Sequence, residues 1–272
     1  MPSTRLPRVS GPQQARLKVI ASALVATLVL GSLAAFAYLS RGYPANRVDL
    51  NDAGIWVTND SNGLFGRLNK SASSLDAYFN PQGGAQSAYT LDIEQDQGTV
   101  LAWDKAVGQI TPVDVASARL VTDSAVPLPS TMVMDMRAGT VAVLDPASGK
   151  IWGTRYDVGA ASAPNLTALA GTSKPLAEIS PLPKGGLKEG ARFSALAVDA
   201  SGAIHAADIT GKAVTIAAQG GSLGKPVARK IAARESLDLT AVGGRVVFLD
   251  VIGGTLAVDD QQPTKRPEIV AG

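Results

Sequence analysis

Thr140-Val141-Ala142-Val143-Leu144-Asp145-Pro146-Ala147-Ser148-Gly149-Lys150-Ile151-Trp152 is the stretch that decides the fold. Its first five residues are apolar or β-branched at both parities, the pattern of a strand covered on both faces. Asp145-Pro146-Ala147-Ser148-Gly149 then reads as a turn, with Asp capping the backbone amides two residues on and Gly supplying a positive φ. Ile151-Trp152 begins the next strand. Upstream, Met132-Val133-Met134 forms a further short apolar run before Gly139. The unit is therefore strand, Gly turn, strand, Asp-to-Gly turn, strand.

This unit recurs. A Gly followed six residues later by Asp occurs at Gly54/Asp60, Gly98/Asp104, Gly139/Asp145, Gly202/Asp208 and Gly244/Asp250. Second glycines follow at Gly63, Gly108, Gly149, Gly211 and Gly253. The first glycines are 44, 41, 63 and 42 residues apart. A period near 42 leaves room for a fourth, outer strand and matches the length of a four-stranded propeller blade. The expected fold class is all-β, a β-propeller with about five blade units visible. The long interval is filled by residues 160–192, expected to form an exposed loop with an outer strand, placed where inserted loops contact ligands.

Composition excludes several chemistries. The 272 residues contain no Cys and one His, so Cys-ligated zinc, iron–sulfur clusters, thiol nucleophiles and a multi-histidine metal site are ruled out. The net charge of +2 comes from the N-terminus: Arg5, Arg8, Arg16, Lys18 and Arg41 meet no acid before residue 42, and the remainder holds 20 basic against 23 acidic residues. Nucleic acid is therefore not an expected partner.

Residues 19–39, VIASALVATLVLGSLAAFAYL, carry no charge over 21 positions, enough to span about 30 Å of hydrocarbon as a helix. With the positive charge before them, the expected layout is a basic cytoplasmic tail (1–18), a transmembrane signal-anchor helix (19–39) and a linker (40–47). A β-propeller (48–272) then lies outside a single-pass cell-membrane anchor. A cleaved signal peptide ending at Ala35-Phe36-Ala37 is the competing expectation.

Candidate site residues are sparse. His205 lies mid-strand, and spacing places no Ser or Asp beside it as a partner. The five repeat aspartates suit either turn capping or a hard cation such as calcium. Gly220-Gly221-Ser222-Leu223-Gly224 matches a nucleophile elbow formally, but Lys225-Pro226 follows at once and the only histidine precedes the serine. Gly185-Gly186 reads as a turn, and Asn59, Asn69 and Asn165 open formal glycosylation sequons. No catalytic, cofactor-binding or metal residue is assigned, and no cofactor is expected.

The Asp/Gly-punctuated hairpins, the 140–152 stretch foremost, resemble the β-propeller families with YVTN or PQQ-like blades. The basic tail, apolar run and Asp52-Ala53-Gly54-Ile55-Trp56-Val57-Thr58-Asn59 look like the start of large actinobacterial membrane-anchored surface proteins that continue into Ig-like or fibronectin type III domains. No such array follows here, so a piece of a longer protein is expected. Ring closure through Val48-Asp49-Leu50 is the alternative. The resemblance implies a non-catalytic, membrane-anchored extracellular binding or scaffold module with a protein or polysaccharide partner. Its alternative is a polysaccharide-active or quinoprotein-like propeller enzyme.

Overall fold

The computed structural model describes residues 54–59, 63–69, 73–79, 91–158, 164–169, 171–259, 261 and 263–265. They form five antiparallel sheets that follow one another along the chain. The first holds β1 (Gly54–Asn59), β2 (Leu64–Asn69) and β3 (Ser74–Phe79). The second runs β4 (Leu91–Asp96), β5 (Thr99–Asp104), β6 (Gln109–Asp114) and β7 (Arg119–Leu120), with β8 (Val126–Pro127) also paired to β6. The third is β9 (Val133–Arg137), β10 (Thr140–Asp145), β11 (Lys150–Arg155) and β12 (Ala177–Glu178). The fourth is β13 (Ser194–Val198), β14 (Ile204–Asp208), β15 (Lys212–Gln219) and β16 (Ser222–Lys230). The fifth is β17 (Asp238–Val242), β18 (Arg245–Asp250), β19 (Thr255–Val258) and β20 (Thr264–Lys265).

All five Gly-to-Asp intervals are strands, as the spacing predicts. In the second to fifth sheets the interval is the second strand. By the repeat, β1, β2 and β3 match second, third and fourth strands, and the counterpart of a first strand falls before Gly54. That position, including Val48-Asp49-Leu50, lies outside the described residues. Two turns depart from expectation: the positive φ lies at Gln97 rather than Gly98 in the second unit, and at Gly254 rather than Gly253 in the fifth.

Apolarity at both parities has a direct cause in the packing. In β10, Val141 and Val143 join Leu101, Trp103, Met134 and Trp152 on the side of the second sheet. Ala142 and Leu144 join Ile151, Leu196, Ile204 and Ile216 on the side of the fourth. Register agrees, since Val143 lies opposite both Met134 and Trp152, and Leu144 opposite both Val133 and Ile151. The second, third and fourth sheets are thus each sandwiched between two neighbours, with β1 against β4, β4 against β9, β9 against β13 and β13 against β17.

The single-pass membrane location expected from the sequence is corrected. Among the described residues no helix is long and apolar enough to cross a membrane. Helical structure there consists of two three-residue 3-10 turns, Thr122–Ser124 and Thr167–Leu169, where a span needs about 20 residues. The apolar side chains of this region are instead consumed by short strands facing one another. The tail, apolar run and linker at 1–47 lie outside the described residues.

Candidate functional site

The described repeat aspartates close turns. Asp104 Oδ1 accepts the Ala106 and Val107 amides, Asp145 Oδ1 accepts that of Ala147, and Asp208 Oδ1 accepts that of Thr210. Two of them also fix the chain entering their own blade: Asp208 Oδ2 accepts the Ser180 amide at 2.8 Å, and Asp250 accepts those of Glu235 and Ser236. Burial alone would raise the Asp250 carboxyl, yet the amides of Gly253, Glu235 and Ser236 hold it below its ordinary value. Among the described residues no group of three or more His, Asp or Glu side chains is arranged to hold a metal ion. Asp60 lies outside them.

His205 has partners that its sequence neighbourhood does not announce. Its Nε2 lies 2.9 Å from Asp199 Oδ2 and its Nδ1 3.3 Å from Thr215 Oγ1. The side chains of His205 and Asp199 are 12% and 7% exposed. Burial pushes the Asp199 carboxyl up, but hydrogen bonds from Ser201, His205 and Ala203 outweigh it and leave the group below its usual range. The available signal was Asp199-Ala200-Ser201-Gly202, an Asx-turn pattern beside a repeat glycine. The adjoining cavity, lined by His205, Thr215 and Phe248, measures about 20 Å³, room for one water.

The formal nucleophile elbow sits at the tip of the β15–β16 hairpin, where Ser222 Oγ donates to the Gln219 carbonyl. No helix follows it. Asn165 Oδ1 accepts the Thr167 amide and hydroxyl and so starts a 3-10 turn.

Acidic residues on the first strands escaped the sequence reading, although Leu91-Asp92-Ile93-Glu94 alternates and places Asp92 and Glu94 on one face. Burial, then the charges of Asp135 and Asp92, push the Glu94 carboxyl up to about 7, with Lys105 opposing. Asp135 is engaged by backbone, accepting the Met136 amide and, at 2.6 Å, the Val198 amide of the next blade.

A half-open concavity lies beneath the connection from β11 to β13, which contains the inserted stretch expected from the sequence. It encloses about 390 Å³, within the range of ligand pockets. Val133 and Pro146 line it from the third blade, Leu182, Leu187, Arg192 and Phe193 from the connection, Ser194, Ala195 and Leu196 from β13, and Asp238 from β17. The Leu182 amide donates to the Pro146 carbonyl at 2.9 Å, and the Arg192 amide to Ser236 Oγ at 3.0 Å, so the span is tied at both ends. Arg192 Nη1 pairs with Asp238 Oδ2 at 3.0 Å on the rim. Ser194 is 6% exposed, and its hydroxyl has no hydrogen-bond partner. The wall is thus apolar with three polar side chains.

No family model and no curated protein matches the sequence. Solved structures do match. Hsv2 of Kluyveromyces lactis aligns at TM-score 0.50 and 10% identity, over 75% of this chain and 57% of that one. A dihydro-heme d1 dehydrogenase, NirN, in complex with DHE aligns at 0.49 and 13%, over 85% and 46%. The β-propeller domain of Cps50 (Swd1) from Myceliophteria thermophila aligns at 0.46 and 11%, over 79% and 67%. The chain spans about half the length of the first of these proteins, and identities this low speak for the fold alone. The likeness of the N-terminal region to actinobacterial surface proteins gains no support from them. Five successive antiparallel sheets, three of them four-stranded among the described residues and each packed on the next in chain order, make this chain a β-propeller by fold.

Proposed function

We propose that the chain is a non-catalytic binding or scaffold module that takes a protein or polysaccharide partner at the cleft under the β11–β13 connection. The observation that carries this reading is the cleft itself: an apolar concavity of about 390 Å³ whose covering span is tied at both ends and belongs to the one interval that exceeds the blade period. Loops added to a repeating scaffold gather function because the scaffold's own residues are committed to packing. The test compares the full chain with Leu187→Arg for retention of a soluble polysaccharide panel and of proteins from the producing cells. A species held by the parent and at least tenfold less by the variant, at equal thermal midpoint, supports the reading. Equal retention by both overturns it.

A second reading, a polysaccharide-active enzyme, draws on Glu94, whose carboxyl is held near neutrality beside Asp135 and Asp92. A carboxyl that keeps its proton near neutral pH, with further carboxylates beside it, suits the acid role in glycoside hydrolysis. Release of reducing ends from any polysaccharide by the parent, absent in Glu94→Gln, favours this second reading over the first.

A further inference from the structure

We propose that the outer edge of the fourth blade is a second binding surface, separate from the cleft, and that it takes an acidic polysaccharide. Residue pattern and strand length meet there. From Ile209 to Arg234 the chain holds no acid and five bases, Lys212, Lys225, Arg229, Lys230 and Arg234, within a region 42–272 whose charge balance is negative. That run folds as the β15–β16 hairpin, and β16 is nine residues long with its last six exposed. The fourth strands of the second, third and fifth blades, β7, β12 and β20, have two residues each. Lys212 stands directly opposite Lys230 in the ladder, a like-charge pairing that costs stability unless an anion lies between. Neither of these lysines, nor Lys225, has an ion-pair partner among the described residues. Arg229 is set apart, because it lies beside Asp259 and helps hold that carboxyl low.

The edge narrows the ligand to a sparse, linear polyanion read through side chains. The Ile231 amide donates to the Gly211 carbonyl at 2.9 Å. Alternation along an antiparallel ladder then turns the backbone of Val227 and Arg229 toward β15 and leaves that of Pro226, Ala228 and Lys230 outward. Pro226 has no N–H, so a polypeptide adding itself as a fifth strand forfeits a hydrogen bond at the middle of the edge and meets Lys225 and Lys230 beside it. Nucleic acid fits no better, since residues 209–234 hold no Phe, Tyr or Trp on which a base could stack. Duplex DNA also carries a charge per about 1.7 Å, whereas Lys225 and Lys230 stand roughly 17 Å apart along the strand. A carboxylated polysaccharide has its charges set a sugar or more apart on a linear chain. Its hydroxyls match the outward N–H and C=O groups of Ala228 and Lys230 without demanding a strand register. The flexible lysine stems bring ammonium groups from both faces of the sheet to that line.

The test measures binding of the full chain to polygalacturonate, with dextran as the neutral polysaccharide and polyglutamate, oligothymidylate and phosphatidylserine vesicles as other polyanions. The expected result is polygalacturonate binding at about 50 mM salt that weakens roughly tenfold by about 200 mM, because each ion contact releases a counterion, with dextran inert. Lys212→Gln, Lys225→Gln and Lys230→Gln combined should weaken it at least tenfold at equal thermal midpoint. Removing two cations elsewhere, Lys174→Gln with Lys184→Gln, should change it less than twofold, which separates the edge from total charge. No binding at the lower salt, or binding that survives the triple substitution, overturns the proposal. Tighter binding of polyglutamate, oligothymidylate or the vesicles overturns the polysaccharide assignment. If the triple variant self-associates while the parent holds no polyanion, the lysines and Pro226 only guard the edge against strand pairing, and the proposal falls.

Discussion

The interface between the second and third blades and that between the fourth and fifth are built to the same plan from different material. The former buries Trp103, Trp152, Leu101, Ile110, Met134 and Met136. Both indoles are also anchored, Trp103 Nε1 donating to the Leu128 carbonyl at 3.0 Å and Trp152 Nε1 to that of Ser173 at 2.9 Å. The latter relies on Ala195, Ala197, Ala207, Ala213 and Ala241 around Phe248 and Leu239, and retains a cavity of about 20 Å³. Large side chains supply more burial and lose more when truncated. Small ones let sheets approach and leave little tolerance for added volume.

Four substitutions would break or sharpen this contrast. Trp103→Ala removes an aromatic that is 3% exposed together with its hydrogen bond, and should lower unfolding free energy by about 3–5 kcal/mol in denaturant titration. A loss under about 1 kcal/mol would show that the first interface is no better built than the second. Gly149→Val acts on the turn instead: at φ 72° its Cβ would stand 2.5 Å from the Ile179 carbonyl oxygen, and roughly 2–4 kcal/mol should be lost. Ala207→Leu tests the alanine interface by overpacking a fully buried position, with an expected loss of about 1–3 kcal/mol. If it stabilises, the alanine interface accommodates the added volume and the intolerance argued above is wrong.

The smallest effect depends on pH and lies on the second-blade side. A carboxyl whose proton affinity rises on folding holds its proton where the unfolded chain has lost it, so stability falls as pH climbs from 4.5 through about 7. Glu94→Gln should therefore gain thermal stability relative to the parent at pH 8, by roughly 1–2 kcal/mol after allowing for solvent screening. The two should converge at pH 4. A difference that does not change with pH would remove the electrostatic account of Glu94. The shifted carboxyls described in the fourth and fifth blades, Asp199, Asp250 and Asp259, move the other way and are held low.

His205 shows where sequence reasoning ran out. Spacing supplied no partner for it, yet Asp199 and Thr215 meet both ring nitrogens once β13, β14 and β15 pair. The Asx turn that positions Asp199 was visible in the residues, but the approach of the two side chains comes from the curl of the hairpin. Glu94 was hidden differently: its alternation with Leu91 and Ile93 was legible, while the proximity of Asp135 depends on the neighbouring blade.

By itself the sequence determined the strands, the turns and their repetition, because these rest on interactions within a few residues. Asp145 caps Ala147, Gly149 supplies a left-handed turn, and both-sided apolarity announces sheets covered on both faces. It also marked residues 160–192 as the departure from the period. Only the tertiary structure decided what that departure builds. Val133, Asp238 and the stretch from Leu187 to Ser194 are three separated segments, and they share one cleft because blade follows blade at a pitch set by interdigitating side chains. No local pattern encodes that pitch.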